Sequence, residues 1–134
     1  PFAVKGIVSK HDARKAVDAG ATAVIVSNQG ARHFDYAPST LSALKEVVDE
    51  VGDEAEVIFD GGIRRGTDII KALALGAKAC MTARPFAYGM AAAGEAGVNR
   101  AADLLRSEFE KNMVFVGASS LDDVTEDLIR DRNV

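Results

Sequence analysis

The sequence predicts an α/β fold, in which strand–helix units follow one another and the strands form a parallel sheet. Four short apolar runs rich in valine, isoleucine and alanine recur along the chain, and each is followed by a segment with apolar residues on one helical face. The apolar residues of these runs are continuous rather than alternating, which is typical of parallel strands covered by helices. The chain has 134 residues, enough for one core, so we predict a single domain over residues 1–134.

The first two units occupy the N-terminal part of the chain. Residues 2–5 read as a short strand, and Ser9 with Asp12 forms a capping box at the start of a helix. The inward residues of this helix are Ala13, Ala16 and Val17. Residues 22–26 form the second strand, and a polar loop leads from it to a helix that begins at about Ser39. The apolar stripe of that helix consists of Leu41, Leu44, Val47, Val48 and Val51.

The last two units repeat this order. Residues 57–59 form the third strand and residues 78–82 the fourth. The helix between them carries Ile69, Ile70, Leu73 and Ala77. A longer helix runs from Gly97 to about Val116, and a last capped helix begins near Ser120. The inward residues of the longer helix are Val98, Ala101, Leu105 and Phe109.

Composition excludes several classes of protein. The chain has 16 basic and 20 acidic residues, a net charge of −4 and no basic run, so nucleic acid and anionic membranes are poor partners. Cys80 is the only cysteine, which excludes an internal disulfide and a cysteine metal cluster; its apolar neighbours predict a small core residue. We predict no metal site. No apolar run approaches the roughly 20 residues of a membrane span, and no signal-peptide pattern opens the chain.

Residues 60–66, with the sequence Asp-Gly-Gly-Ile-Arg-Arg-Gly, are the most informative stretch of the chain. They follow an apolar strand and precede a helix, and glycines there let the backbone turn sharply and approach a ligand closely. The N–H groups at a helix start favour an anion, and an arginine fork adds a bidentate clamp. This pattern predicts a phosphate site, although such a turn also serves simply to reverse a chain. Arg64 and Arg65 are adjacent, so at most one of them faces a phosphate.

Several other polar residues fall at the C-terminal ends of the predicted strands. They are Lys5, residues 27–32 and Arg84, and in α/β folds this edge of the sheet collects the active-site groups. One pocket could therefore contain them together with residues 60–66. For Lys5 the alternative is a side chain that snorkels at the rim of the sheet. Arg32 and His33 lie in a loop, where the default is a solvated surface.

These segments, taken in order, resemble the C-terminal half of the FMN-dependent α-hydroxy acid oxidase and dehydrogenase family, which includes glycolate oxidases, lactate oxidases and mandelate dehydrogenases. The matching segments are residues 4–7, 26–32, 37–41, 60–66, 71–77, 84–85 and 94–98, together with Asp35. The family fold is a TIM (β/α)8 barrel with FMN at the C-terminal mouth. The resemblance therefore implies that this chain is a half-barrel made of the last four βα units.

The resemblance also implies FMN as the cofactor and a role for each matching residue. Lys5 would lie beside the flavin ring, where its charge stabilises the anion formed on reduction, and Ser27 would also touch the flavin. Arg32 would clamp the carboxylate of a small 2-hydroxy acid substrate. The residues implied to hold the FMN phosphate are Asp60, Gly61, Gly62, Ile63, Arg64, Ala83 and Arg84.

The chain departs from the family pattern at the catalytic base. Gln29 occupies the position of the family's catalytic histidine, and an amide cannot take a proton from the substrate. His33 stands four residues further on, where the family commonly has glutamine, so it is a possible substitute base. The family's glycine before Arg84 is here Ala83, which keeps its N–H group but permits fewer backbone conformations.

Two readings follow. In the first, the chain supplies the phosphate- and carboxylate-binding half of a site that oxidises a small (S)-2-hydroxy acid to the 2-oxo acid with FMN, and it is inactive alone. In the second, Gln29 marks a catalytically impaired relative that binds flavin or phosphate or has a structural role. An unrelated TIM-barrel phosphate-binding enzyme would explain residues 60–66 but not residues 27–32.

The expected partners follow from the half-barrel. It would need the N-terminal half of a barrel or another copy of itself, because an uncovered sheet face and open edge strands are sites of association. We therefore expect a homo-oligomer. We also expect a soluble intracellular protein, cytoplasmic or peroxisomal; the sequence does not decide between these compartments, between an oxidase and a dehydrogenase, or among the hydroxy acids.

Overall fold

The structure is a computed structural model that describes residues 1–130, and its centre is a four-stranded parallel sheet. The strands lie in chain order, and every neighbouring pair is parallel. They are β1 (Ala3–Ile7), β2 (Ala23–Val26), β3 (Glu56–Asp60) and β4 (Ala79–Met81). The predicted α/β fold with four strand–helix units is thus confirmed, and each strand lies within two residues of its predicted position.

Four helices follow the strands in turn. They are α1 (Lys10–Asp18), α2 (Thr40–Val51), α3 (Gly66–Ala74) and α4 (Arg84–Val116). The predicted cap of α1 is present, since the backbone N–H of Asp12 donates to Ser9 Oγ at 3.2 Å. None of the helices within residues 1–130 combines the length and apolar character required to cross a bilayer.

The two faces of the sheet differ in what covers them. We call the outer face the one against which α1, α2 and α3 pack; it carries Val24, Val26, Val57 and Phe59, all at most 3% exposed. Successive side chains of a strand point to opposite faces. The other face, which we call the inner face, therefore carries the aligned residues Lys5, Ile25, Ile58 and Ala79, which are half-buried or exposed. The core thus lies on one side of the sheet.

The predicted C-terminal helices need correction. Helix α4 begins at Arg84 rather than Gly97, because Pro85 is well suited to a first helical turn. Its helical geometry is interrupted at Ala93 and at Gly94, where φ is 57°. We therefore distinguish a short segment, residues 84–92, from a long segment, residues 95–116. The predicted helix near Ser120 is instead two 3-10 turns, Leu121–Asp123 and Glu126–Leu128.

Two close backbone contacts fix α4 in place. A Cβ atom at Gly97 would lie 1.9 Å from the carbonyl oxygen of Gly89, so the short and long segments touch backbone to backbone. A Cβ atom at Gly66 would lie 2.2 Å from the backbone nitrogen of Phe109, so the start of α3 touches the long segment equally closely. Only glycine permits such approaches. The start of α4 is consequently tied to the start of α3.

Candidate functional site

Side chains from β1, from β3 and from the residue after β2 meet at the C-terminal edge of the inner face. Lys5 Nζ lies 2.7 Å from Asp60 Oδ2 and donates a hydrogen bond to Ser27 Oγ at 3.0 Å. Ser27 Oγ in turn donates to Asp60 Oδ2 at 2.7 Å. Ser27 is 1% exposed, whereas the Lys5 side chain is 40% exposed. The ammonium group of Lys5 is thus held at the sheet by two partners rather than snorkelling freely into solvent.

This arrangement changes the interpretation of Asp60. The family resemblance implies that Asp60 helps to hold the FMN phosphate. In the structure its carboxylate is engaged by Lys5 and Ser27, and a carboxylate would repel a phosphate at short range. Asp60 therefore belongs structurally with the ammonium group of Lys5, and not with the groups suited to bind an anion.

The backbone of the loop after β2 has an unusual conformation. Gln29, Gly30 and Ala31 are consecutive residues with positive φ, at 54°, 71° and 56°. This left-handed conformation is unfavourable for residues other than glycine, so surrounding bonds must hold it. The N–H of Gln29 donates to Ser27 Oγ at 3.1 Å, and that of Gly30 donates to Asn28 Oδ1 at 3.0 Å. The loop is thus attached to the same serine that contacts Lys5.

The loop brings Gln29 into the site and leaves His33 outside its hydrogen bonds. Gln29 Nε2 lies against Gly6 in β1, 3.4 Å from where a Cβ atom of that glycine would be. Arg32 is exposed, and its Nε donates to the carbonyl oxygen of Gln29 at 3.3 Å. His33 is exposed and forms no hydrogen bond or ion pair with any other residue in the described part of the chain. No contact in the structure brings His33 to the position of a base.

The predicted phosphate turn has the expected backbone geometry. Gly61 and Gly62 have φ values of 104° and 77°, and a Cβ atom at Gly62 would meet nothing within 4 Å. The carbonyl oxygen of Ile63 accepts a hydrogen bond from Thr82 Oγ1 at 3.1 Å, which orients the turn. Across residues 1–130, no protein group accepts a hydrogen bond from the N–H of Gly62 or of Ile63. These two donors are therefore available to an anion.

The start of α3, by contrast, is already capped by protein carboxylates. The N–H groups of Arg64 and Arg65 donate to Asp68 Oδ2 at 2.9 Å and 3.0 Å, and the N–H of Gly66 donates to Glu108 Oε2 at 3.0 Å. The Gly66 N–H, with help from the Arg65 guanidinium, holds the pKa of Glu108 below its usual value. The carboxylates of Asp68 and Glu108 thus already engage the N–H groups of Arg64, Arg65 and Gly66, so an anion at this turn has to use other donors.

The same contacts separate the two adjacent arginines. Arg65 Nη1 pairs with Glu108 Oε1 at 3.0 Å. Arg64 is exposed, and its guanidinium has no carboxylate within ion-pair distance among the described residues. Arg64 is thus the one of the pair that remains available to bind a phosphate.

The start of α4 offers a second set of donors. The first N–H groups of a helix have no acceptors within it and carry partial positive charge; Pro85 has no N–H, so in α4 the donors of this turn are the N–H groups of Arg84 and Phe86. Ala83 precedes this helix with φ −117°, a value that alanine adopts without strain, so the replacement of glycine there costs little. Arg84 Nη2 donates to the carbonyl oxygen of Gly30 at 3.2 Å, which joins the start of α4 to the loop after β2.

Cys80 was predicted to be a small core residue. Cys80 is half-buried, and burial raises the pKa of its thiol to about 11, so it stays neutral at physiological pH as a core residue does. Within residues 1–130 no group of three or more His, Cys, Asp and Glu side chains is arranged to hold a metal ion.

Sequence reasoning missed residues that shape the site through their contacts. Asn28 accepts from Gly30 and donates through Nδ2 to the carbonyl oxygen of Pro38 at 3.1 Å. Thr40 Oγ1 donates to the carbonyl oxygen of Gly61 at 3.4 Å. Asparagine two residues before a glycine is a known turn signal, so Asn28 could have been found. The contacts of Thr40, Thr82 and Glu108 join residues far apart in the chain and had no local signal.

Comparison with known proteins gives concordant matches. The family model described as FMN-dependent dehydrogenase matches residues 1–131. A peroxisomal (S)-2-hydroxyacid oxidase of Arabidopsis thaliana is 50% identical over 133 residues, which are 99% of this chain and 37% of that protein. Glycolate oxidase 1 of Zea mays is 50% identical over 125 residues, which are 93% of this chain and 34% of that protein.

Solved structures agree in fold. A soluble mutant of the membrane-associated (S)-mandelate dehydrogenase of Pseudomonas putida superposes with a TM-score of 0.93 at 38% identity, covering 97% of this chain and 37% of that one. A lactate oxidase described as putative, from Pediococcus acidilactici, gives 0.90 at 39% identity, with 94% and 35% covered. The chain therefore spans little more than a third of the length of the relatives it matches.

Proposed function

Because this chain belongs to the FMN-dependent dehydrogenase family, we propose that it supplies part of a site at which a small (S)-2-hydroxy acid is oxidised to the 2-oxo acid. The sheet is part of a TIM barrel in this family. The observation that carries the proposal is the cluster of Lys5, Ser27 and Asp60, which fixes an ammonium group at the same sheet edge as two free N–H donors. Bound FMN supplies the electron acceptor for such an oxidation.

The residues at this edge fit a phosphate group. The free N–H groups of Gly62 and Ile63 and the first turn of α4 provide donors of the kind that bind phosphates. Arg64 and Arg84 add planar guanidinium groups, which match phosphate oxygens bidentately. The space beside Cα of Gly62 is empty, so a ligand can approach the backbone there. We assign the phosphate of FMN to this position.

Lys5 suits a place beside the flavin ring. An ammonium group has three N–H donors, and Ser27 and Asp60 engage two of them. The third is free to donate to a ring acceptor, and the positive charge stabilises negative charge that develops there. Because two partners hold the group in advance, little reorganisation accompanies the reaction. Ser27 and Asp60 thus act by positioning Lys5.

Arg32 suits the substrate carboxylate. Its Nε is bound to the carbonyl oxygen of Gln29, which anchors the side chain at the loop. The terminal nitrogens of the guanidinium remain free for a bidentate contact with a carboxylate. An anchored fork of this kind orients a 2-hydroxy acid in addition to binding it.

A catalytically impaired relative remains the second candidate, and one specific observation favours it. Gln29 stands where the family resemblance implies the base, its side chain lies against Gly6, and a glutamine amide does not accept a proton at neutral pH. We propose that oxidation in this protein is slow for that reason. A substitute role for His33 stays a prediction.

The remainder of the barrel and the assembly are also proposals. We propose that the rest of the site comes from further residues of the polypeptide, from another chain or from another copy, and that the protein is a homo-oligomer. A peroxisomal location, which the names of the plant relatives carry, stays a prediction for this chain.

The experiment that tests the proposed function compares cofactors and then substrates. The natural protein is titrated with FMN and with riboflavin, which lacks the phosphate, and the bound flavin is then mixed anaerobically with glycolate, lactate or mandelate. We expect FMN to bind more tightly than riboflavin and its absorbance to bleach slowly with one of the acids. Equal affinity for the two flavins would contradict the phosphate site, and no bleaching with any acid would favour the impaired relative.

A further inference from the structure

Arg84 is positioned to do more than bind a phosphate. Its guanidinium reaches the loop after β2, 54 residues away in the chain, where Nη2 donates to the carbonyl oxygen of Gly30 at 3.2 Å. The contact is tight, since a Cβ atom at Gly30 would lie 2.6 Å from Nη2. A guanidinium has five N–H donors in a rigid fork, so one bond to Gly30 leaves others for a phosphate.

The carbonyl that Arg84 contacts belongs to the strained part of the loop. Gln29 and Ala31 flank Gly30 in the left-handed conformation, at φ values of 54° and 56°. Residues other than glycine keep this conformation only where several contacts from the surrounding structure hold them in it. From the side of the sheet, Ser27 and Asn28 hold the loop through the N–H groups of Gln29 and Gly30. From the side of α4, Arg84 contacts the loop through Gly30.

The held segment carries both groups that would face the substrate. Gln29 lies against β1, and Arg32 is anchored on the carbonyl oxygen of Gln29. A change in the peptide between Gln29 and Gly30 would therefore move the carboxylate clamp and the position of the base together.

We propose that Arg84 is a positioning residue that couples occupancy of the phosphate site to the conformation of residues 29–32. This inference rests on the proposed FMN site, because the phosphate is the ligand that would engage the other donors of Arg84. A bound phosphate restricts the guanidinium, and the restricted guanidinium holds the loop in its left-handed form. The cofactor phosphate thus prepares the substrate end of the site without touching the substrate.

Hydrogen exchange of the loop amides, measured without flavin, tests whether Arg84 holds residues 29–32 in their conformation. The amides of Gly30 and Ala31 are both hydrogen-bonded to Asn28, so their exchange reports opening of the loop. In the natural protein, Arg84→Lys keeps the charge but loses the fork; we expect exchange in peptides covering residues 28–33 to quicken about tenfold. Arg64→Lys is the matched control, because Arg64 does not contact the loop, and it should leave this exchange unchanged.

Exchange in the peptide that contains β3 serves as the internal reference. Val57 and Phe59 are buried in the outer face, so unchanged exchange there shows that a variant is folded. Loop exchange that is the same in Arg84→Lys as in the unaltered protein, with the β3 peptide also unchanged, would overturn the proposal.

Hydrogen exchange measured with bound FMN and with bound riboflavin distinguishes a failure of this proposal from a failure of the proposed function. Each flavin is added at a saturating concentration. In the unaltered protein and in Arg64→Lys, FMN should slow hydrogen exchange in the loop more than riboflavin does. In Arg84→Lys, FMN and riboflavin should slow it equally. If FMN and riboflavin bind the unaltered protein with equal affinity, the proposed phosphate site is wrong. If FMN binds more tightly yet slows the loop no more than riboflavin, the site stands and the coupling is wrong.

Coupling is reciprocal, so a change in the loop should weaken phosphate recognition. In Gly30→Ala the new methyl group displaces Arg84 Nη2, and the preference for FMN over riboflavin should fall about threefold to tenfold. Gly117→Ala is the control, because Gly117 also has positive φ, at 76°, and a Cβ atom there would meet nothing within 4 Å. An unchanged preference in Gly30→Ala would contradict the coupling.

Discussion

The two faces of one sheet carry different properties in this chain. On the outer face, Val24, Val26 and Val57 are at most 1% exposed and pack against the helices. On the inner face, the sheet presents Lys5, Asp60 and half-buried apolar residues. Burial of apolar area stabilises a fold, whereas polar groups held at an accessible edge suit ligand chemistry. We infer that substitutions on the outer face change mainly stability and those on the inner edge change mainly function.

The largest expected effect is on chemistry and involves Gln29. A positioned general base contributes roughly 10²–10⁴-fold in rate, so Gln29→His should raise anaerobic flavin reduction by a factor in that range. The side chain is exposed, so the midpoint of urea unfolding should change little. His33→Ala should leave the slow rate of the unaltered protein unchanged. Brisk reduction in the unaltered protein that is lost in His33→Ala would show that His33 is the base.

The next effect is on stability and involves Leu44 in α2. Its side chain is fully buried beneath the outer face, and deletion of a buried leucine side chain to alanine costs about 2–5 kcal/mol. Ile25→Ala on the inner face should cost less than half as much in urea unfolding, because Ile25 is already partly exposed. If the two variants lost equal free energy of unfolding, Ile25 would be fully covered in the natural protein. The two faces would then not differ in burial.

A smaller effect, on the reduction potential of bound flavin, is expected from a change at Asp60. Asp60→Asn removes the negative charge 2.7 Å from Lys5 Nζ, so the field at a bound flavin becomes more positive. The two-electron midpoint potential of bound FMN should rise by about 30 mV, equivalent to about 1.4 kcal/mol. Asp49→Asn is the control, since Asp49 pairs with Lys45 on α2, away from this edge. A potential that falls or stays constant would contradict the assignment of Lys5 to the ring.

The smallest effect concerns acid stability outside both faces. Asp123 accepts hydrogen bonds from Ser119 and Ser120, and these bonds lower its pKa from 3.8 to about 2. A carboxyl whose pKa is depressed by folding contributes stability above its unfolded pKa and loses it as pH falls through the folded value. Unfolding of the unaltered protein should therefore become easier between about pH 4 and pH 2, and Asp123→Asn should weaken that dependence. An unchanged pH profile in the variant would show that the cap does not contribute.

Much of the fold was predictable because the apolar runs and stripes are local. The strand positions follow from short β-branched runs, and α2 follows from an apolar stripe with a serine before it. The start of α4 was missed because the alanines and glycines of residues 87–97 form no stripe that distinguishes a helix from a loop. Small residues there serve a contact between helix segments, which a local pattern does not reveal.

The candidate site was predictable in its residues more than in its contacts. The family resemblance implied that Asp60 acts with the glycines, yet the period of two in a strand directs its carboxylate to Lys5. The left-handed conformation of Gln29 and Ala31 runs against the preference of both residue types, so no propensity predicts it. It depends on bonds from Ser27, Asn28 and Arg84, which only the folded chain brings together.

The backbone contact between Gly89 and Gly97 sets the tilt of the short segment of α4, and that tilt sets the position of the helix start. Arg84 lies five residues from Gly89, a distance of about 7.5 Å along a helix axis. A tilt of about 10° at the contact would therefore move the helix start by about 1.3 Å, and misplacement by about 1 Å can cost a site a hundredfold in rate. A single methyl group added at position 89 or 97, outside the phosphate turn, should thus displace the start of α4 and slow the proposed reaction. Engineering of this protein should treat the two glycines as part of the geometry of the candidate site.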